Sequence, residues 1–244
     1  MVLPSGITQG SLVIDDGKII GILKSSEPKA DRVIDAMGKV VLPGMVDMHV
    51  HLRDPGFPER EDFESGTRAA AAGGVTTVID MPNTVPATVT LEAFNQKKAI
   101  ADGKSLIDFG FIGGAGEVPP KNIKELAEAG ATAFKSFLIA RFKELAASDY
   151  TLYKHMQLLA ELDRPLLVHA ENGDLVDKFM EEAVASGRTD PMAHCDFRPD
   201  IAEIEAVMRC ITLSAQTDCH LHICHISSGG TVDILEWAQS IDQL

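Results

Sequence analysis

Three short runs of this chain combine apolar strand character with imidazoles at their ends. The first, HVHLRDPG at 49–56, closes the stretch MVDMHV. In an extended strand, residues i and i+2 point to the same side, so His49 and His51 project together and can reach one metal ion. The competing reading is a pair of satisfied core histidines, but both face one way and are followed at once by Arg53 and Asp54. His169 ends the apolar run PLLVHAE and His225 ends HLHICHIS, where an imidazole has no packing reason to sit. Together with the first pair they read as a second metal pair. Imidazole suits zinc and similar ions, and catalytic sites keep one position open for water. Lys135 sits inside ATAFKSFL, where a bare ammonium carries a large desolvation cost. A lysine with a lowered pKa can add carbon dioxide to give a carbamate, an anionic bidentate group able to bridge two cations. The alternative is a lysine whose tip escapes to solvent.

Such side chains need a scaffold that brings strand ends together. Apolar runs recur from Gly44 onward, and centres near Met48, Val78, Gly110, Lys135, Val168 and Ile223 give spacings of 30, 32, 25, 33 and 55 residues. That is β/α alternation with one insertion around Ser186–Asp200. Helices are expected over Glu64–Ala72, Pro119–Gly130, Tyr150–Asp163 and Thr231–Ser240, each with Pro or Gly punctuation or a fitting position between strands. Alternation alone fits a doubly wound sheet or a (β/α)8 barrel. No GxGxxG or GxxxxGK[ST] fingerprint supports the first. Polar residues at the ends of most runs, His49/His51, Asn83, Lys135, His169 and His225, support the second, because a barrel gathers its chemistry at the C-terminal ends of its strands. Six strands do not close an eight-stranded barrel. The expected fold class is therefore α/β, a TIM barrel of about six βα units over residues 43–244, preceded by a small β part over 1–42. In the latter, SLVIDDGKIIGIL signals a hairpin at Asp16-Gly17, and RVIDAMGKVVLPG repeats the β style.

Composition excludes several function classes. With 45% hydrophobic and 24% charged residues over 244 positions, the chain can bury a core and is not disordered. Lys and Arg number 22 against 36 Asp and Glu, a net charge of −14 without a basic stripe, so nucleic acid is not an expected partner. No apolar run approaches the roughly 20 residues that span a bilayer, and MVLPSGITQG lacks signal-peptide character, so the expected location is cytoplasmic, without a membrane partner. Cys195, Cys210, Cys219 and Cys224 form no CxxC pair and read as reduced thiols.

The runs PGMVDMHVHLRDPG (43–56), GTRAAAAGGVTTVIDMPNT (66–84), AFKSFL, VHAEN (168–172) and CHISS (224–228) together resemble the cyclic amidohydrolases, the group of dihydroorotase, allantoinase, hydantoinase and dihydropyrimidinase. The resemblance covers essentially the whole chain. It implies a metal-dependent hydrolase acting on a C–N bond of a dihydropyrimidine-like or hydantoin-like ring, with a small-molecule cyclic amide as substrate and a homo-oligomeric assembly. His49 and His51 would bind one divalent ion, zinc by analogy, His169 and His225 a second, and carbamylated Lys135 would bridge them. Water between two cations would be acidified enough to attack a ring amide carbonyl. Arg53 and Asn83 resemble the dihydroorotase pattern, in which they hold the substrate's carboxylate, and dihydroorotase, interconverting N-carbamoyl-aspartate and dihydroorotate in pyrimidine biosynthesis, is the preferred reading. The alternatives for these residues are an ion pair of Arg53 with Asp54 or Glu59 and a turn cap by Asn83 before Thr84. FIGGAG and GATAFKSFL are more similar to allantoinases and hydantoinases, the alternative reading. A reading of another class is a catalytically silent scaffold.

In the resembled family, a further Asp on the last barrel strand binds metal and shuttles a proton, and a C-terminal segment returns to complete a β-sandwich begun by residues 1–42. Neither has a counterpart here. Asp233 and Asp242 belong in or near the terminal helix, so no catalytic residue is assigned, and the chain is expected to be the N-terminal part of a longer enzyme. His220 and His222 are expected to share a face opposite His225 and pack toward helices, His155 to lie in a helix, and Cys224 to face away from the mouth as an inert thiol. The acidic run 59–64 reads as a solvated loop and helix start, and Pro55–Asp62 as a loop able to close over substrate.

Overall fold

The computed structural model describes residues 1–24 and 29–241, so Asp242 lies outside the described residues. The chain separates into two compact units, Met1–Met45 and Val46–Leu244. In the first, β1 (Val2–Leu3) pairs antiparallel with β2 (Gly6–Ile7), and β3 (Ser11–Asp15) with β4 (Lys18–Leu23). The second hairpin turns on Asp16 and Gly17, both at positive φ (46° and 70°), as a two-residue hairpin requires. The expectation for 32–44 is not met: no strand forms there among the described residues. A strand needs a ladder partner, and this segment has only Val2 N–H bonded to the Val41 carbonyl, while Val33, Ile34 and Met37 stay exposed.

The second unit alternates strands and helices. In chain order these are β5 (Met45–Val50), α1 (Phe63–Ala72), β6 (Val75–Asp80), α2 (Leu91–Lys104), β7 (Asp108–Gly114), α3 (Pro120–Glu128), β8 (Ala133–Phe137), a 3-10 segment (Ala140–Leu145), α4 (Asp149–Glu161), β9 (Leu166–His169), α5 (Gly173–Ala185), α6 (Ala193–Asp196), α7 (Asp200–Ala215), β10 (Leu221–Ile223) and α8 (Gly229–Ser240). The six strands form one sheet in sequential order from β5 to β10, and the ladders from β6 to β10 are parallel. This is the incomplete barrel that the strand spacing predicts. All six strand centres fall where expected, and the 55-residue gap holds α5, α6 and α7.

Side-chain alternation divides the strands into two faces. Val78, Phe111, Phe134, Leu166 and Val168 point toward the helices and pack with Phe63, Phe94, Ile123, Leu126, Leu152 and Met156 in the main core. Met81, Ile112, Ala133, Leu167 and Cys224 form a smaller apolar layer on the other face. β8 is buried along its whole length, so Lys135 is 1% exposed. Asp62 caps α1 by accepting the Ser65 N–H at 2.8 Å, the helix start that the acidic run implies. Lys104 of α2 reaches Asp54 at 2.7 Å and Asp62 at 3.4 Å, tying both ends of the 54–62 loop to one helix. The four cysteines are free, and only Cys195 is exposed. Among the described residues no helix is long and apolar enough to cross a membrane.

Candidate metal and substrate site

At the C-terminal ends of the strands the structure brings together every residue assigned above to metal or substrate. His49, His51, Arg53, Asn83, Lys135, His169 and His225 line one cleft of about 210 Å³, with Phe137 and Phe142. His49 and His51 share a side of β5, their ring centroids 5.4 Å apart. His225 comes across from the end of β10, 5.5 Å from the His49 ring and 4.8 Å from that of His169. Nδ1 of His169 and Nε2 of His225 face each other at 3.1 Å.

Two expectations about β10 are corrected. Cys224 faces the cleft side, buried, and its Sγ accepts a hydrogen bond from Lys135 Nζ at 2.7 Å. His222, two residues earlier on the same face, lies close enough for Lys135 to act on it electrostatically and for it to act on His49. The expectation assumed a regular strand through residue 225. The strand ends at Ile223, and His225 takes φ 35°, a left-handed backbone that swings its ring to the mouth although strict alternation would not. His155 is in α4 as expected, buried, with Nδ1 3.3 Å from the Ala115 carbonyl.

Burial sets the protonation states. Desolvation, reinforced by Lys135, His225 and His222, holds His49 down at about 4; desolvation, with Arg53, His49 and Lys135, holds His51 at about 3. His225 is lowered by burial and then by Lys135 and His169. Burial also lowers Lys135, against the opposing pull of Cys224. His49, His51 and His225 are thus held toward the neutral form that can donate to a metal, and Lys135 is shifted toward the free amine that adds carbon dioxide. A histidine depressed from 6.5 binds its proton more readily in the unfolded chain, so its neutral burial is fully compatible with folding above about 6.5 and opposes folding as pH falls through about 4 and 3. Metal-free protein should therefore lose stability on going from about pH 7.5 to about pH 4.5 in urea titrations, and His49→Gln should lose less. Equal losses would remove His49 from that account.

Arg53 and Asn83 are free of the partners that the structural alternatives required. Asp54 is taken by Lys104 and Glu59 lies beside Arg60, while Thr84 N–H bonds to the Pro82 carbonyl instead of the Asn83 side chain. Asn83 Oδ1 and His51 Nδ1 are buried without a hydrogen-bond partner, the state of atoms placed to meet a ligand. The fit to metal ions rests on this orphaned nitrogen, on the neutral donors and on the 3.1 Å spacing of the facing His169 and His225 nitrogens, close to the roughly 3.3 Å between ligand atoms around a tetrahedral zinc. Among the described residues no three of His, Cys, Asp or Glu stand close enough together to hold a metal ion as they are placed; the four histidines and Lys135 line the same cleft.

Sequence reasoning missed Glu171, Phe137 and Phe142. Glu171 Oε2 lies 2.7 Å from His169 Nε2 and is also held by Arg198. Burial alone would raise its carboxyl, but the His169 hydrogen bond and the surrounding positive charge leave it below the usual range. Phe137 stacks on Phe142 at 4.0 Å and on His169 at 5.2 Å. Phe137 is the i+2 neighbour of Lys135, so the period that found the histidines also marks it.

A parallel βα sheet with paired imidazoles and a buried lysine at its strand ends is an amidohydrolase-type scaffold, and comparison with known proteins agrees. Residues 38–230 match the dihydro-orotase-like family, and the chain belongs to it. It is 40% identical over 245 residues to an allantoinase of Desulfitobacterium hafniense (strain Y51), covering 98% of this chain and 54% of the relative. It is 36% identical over 249 residues to an L-hydantoinase of Paenarthrobacter aurescens, covering 100% and 54%. Among solved structures, L-hydantoinase (dihydropyrimidinase) from Arthrobacter aurescens superimposes with a TM-score of 0.93 at 36% identity, over 98% of this chain and 54% of that one. The chain thus spans about half the length of these relatives.

Proposed function

We propose that this chain carries the metal-binding part of a cyclic-amide hydrolase that opens a hydantoin-type ring, as the names of its allantoinase and L-hydantoinase relatives suggest, in preference to dihydroorotate. The observation that carries the reading is the convergence of four histidines and a buried lysine on one small cleft in a chain 36–40% identical to those relatives. The preference for dihydroorotase rested on Arg53 and Asn83, but a guanidinium and a carboxamide serve any ring bearing carbonyl and amide groups.

His49 and His51 would hold one divalent ion and His169 and His225 another, with carbamylated Lys135 between them. Such ions lower the pKa of bound water toward 7 and polarise a carbonyl. The remaining work falls to the chain's own side chains. Arg53 donates to a ring carbonyl and Asn83 Oδ1 accepts from a ring N–H, which together orient the ring, while Phe137 and Phe142 wall the cleft and exclude water from one side of His169. Cys224 holds the Lys135 amine in place from below.

The test is a panel of hydantoin, allantoin, dihydrouracil and dihydroorotate with metal-loaded protein, read by calorimetric binding and by ring opening. Hydantoin or allantoin should bind best and dihydroorotate worst, and Arg53→Ala should weaken the best ligand by about 10- to 100-fold, the value of hydrogen bonds from a charged donor. Preference for dihydroorotate would restore the dihydroorotase reading, and no binding of any ring would favour the silent scaffold.

A further inference from the structure

We infer that Glu171 is a positioning residue that fixes the tautomer of His169, and that Arg198, in the insertion between α5 and α7, holds Glu171 in place to do so. The inference deepens the proposed function and rests on the metal reading of the His169–His225 pair.

An ionised carboxylate only accepts hydrogen bonds, so the 2.7 Å contact of Glu171 Oε2 with His169 Nε2 places the ring proton on Nε2. Nδ1 is then a bare lone pair, and it is the atom that faces His225 Nε2 at 3.1 Å. Only in this tautomer can His169 offer a lone pair at the point that His225 Nε2 also faces, so that a metal ion displacing any proton on His225 Nε2 is bound by both rings; with the proton on Nδ1, His169 has no lone pair there. The ring plane is fixed independently by Phe137 and Phe142, whose centroids lie 5.2 and 5.7 Å from that of His169. Glu171 is fixed in turn, since Arg198 Nη1 lies 3.1 and 3.3 Å from its two carboxylate oxygens. All three side chains are less than one-fifth exposed, so solvent does little to dissolve the chain of contacts. A carboxylate behind a ligating imidazole is a general device for orienting the ring and raising its basicity. Here it is assembled across 27 residues of sequence, which gives the 186–200 insertion a task at the site.

The experiment uses metal-free protein labelled with 15N-histidine and recorded at about pH 8, followed by zinc titration against a chromophoric chelator. In the unsubstituted protein, His169 should show a protonated Nε2 and an unprotonated Nδ1. Glu171→Ala should populate the other tautomer and weaken the second zinc equivalent about 10- to 100-fold while leaving the first unchanged. Glu171→Gln, whose carbonyl still accepts, should keep the tautomer and recover most of that affinity, which a merely structural ion pair with Arg198 would not predict. If Glu171→Ala keeps the tautomer and binds both equivalents as tightly as the parent, the inference fails. If the parent itself binds no zinc, the metal reading fails, while the tautomer measurement still decides the role of Glu171.

Discussion

Replacing Lys97 by methionine should lower the unfolding free energy by about 3–5 kcal/mol, a large share of the 5–15 kcal/mol on which a domain rests. Lys97 lies on α2 with no exposed side-chain area, 2.5 Å from Asp80 Oδ2, and donates to the Met81 carbonyl at 2.7 Å. Asp80, 1% exposed on its side chain, accepts the Leu52 N–H at 2.7 Å through its other oxygen. The pair thus ties the end of β6 to the segment just past His51. Methionine fills a similar volume, so the loss is chiefly electrostatic: a buried carboxylate without its countercharge. Even in the intact pair, burial dominates, raising Asp80 and lowering Lys97. Without Lys97 the carboxyl rises further and is accommodated best when protonated. A raised folded-state pKa contributes stability that is present below the unfolded value near 3.8 and lost as pH rises through the folded one. The deficit of Lys97→Met relative to the parent should therefore grow from acid toward neutral pH. Asp80→Asn in the same background should recover a substantial part of it at neutral pH, since the carboxamide carbonyl still accepts from Leu52. Urea unfolding of the parent, single and double variants is the measurement. Equal deficits in the two variants at all pH values would show that packing, and not charge, sets the loss.

The same lysine shows where the sequence was hard to read. The buried positions of α2, Ala93, Phe94, Lys97 and Ala101, follow a helical stripe, but a lysine in its middle and alanines around it erase the apolar signal. On α7 the stripe Ala202, Ala206, Val207, Cys210 and Ile211 is intact, and its spacing is that of a helix packed on one face. The strands were legible because their buried runs are short, apolar and evenly spaced. Their faces were legible wherever alternation held, which places His49 with His51 and Lys135 with Phe137. Alternation failed at Cys224 and His225, because the direction of a side chain after a strand depends on one backbone angle, φ 35° at His225, that composition does not encode. The contact of Arg198 with Glu171 is a tertiary pairing between a loop and a strand end, and no local pattern announces it. The choice among rings is the least legible part: Arg53 and Asn83 fix the polarity of a ligand, while its shape is set by walls such as Phe142 that come from a separate segment.

His49→Ala should remove about one of two bound equivalents of a zinc-like metal per chain, measured by elemental analysis after reconstitution and exhaustive dialysis. The expected number follows from the donors. His49 and His51 share a side of β5, His169 and His225 face each other at 3.1 Å, and Lys135 lines the same cleft, so the proposed first ion takes the first two and the second ion the other two. Removing one imidazole of the first pair leaves His51 and Lys135 for that ion, too few for tight binding at dialysis concentrations, while the second pair is untouched. Cost to folding should be small, because His49 is only partly buried and has no packing partner in the main core. Its low pKa of about 4 shows that the fold does not depend on its charge at neutral pH. Lys135→Ala is the informative companion. It should lose more metal than His49→Ala if a carbamate serves both ions, and intact mass under native conditions should show a carbamate-sized addition in the parent and none in this variant. It also leaves Cys224 Sγ without its 2.7 Å partner, so a fall in stability beyond that of His49→Ala is expected. Two equivalents retained in both variants would place the ions elsewhere, and metal lost equally from both would reduce Lys135 to a ligand of the first ion alone.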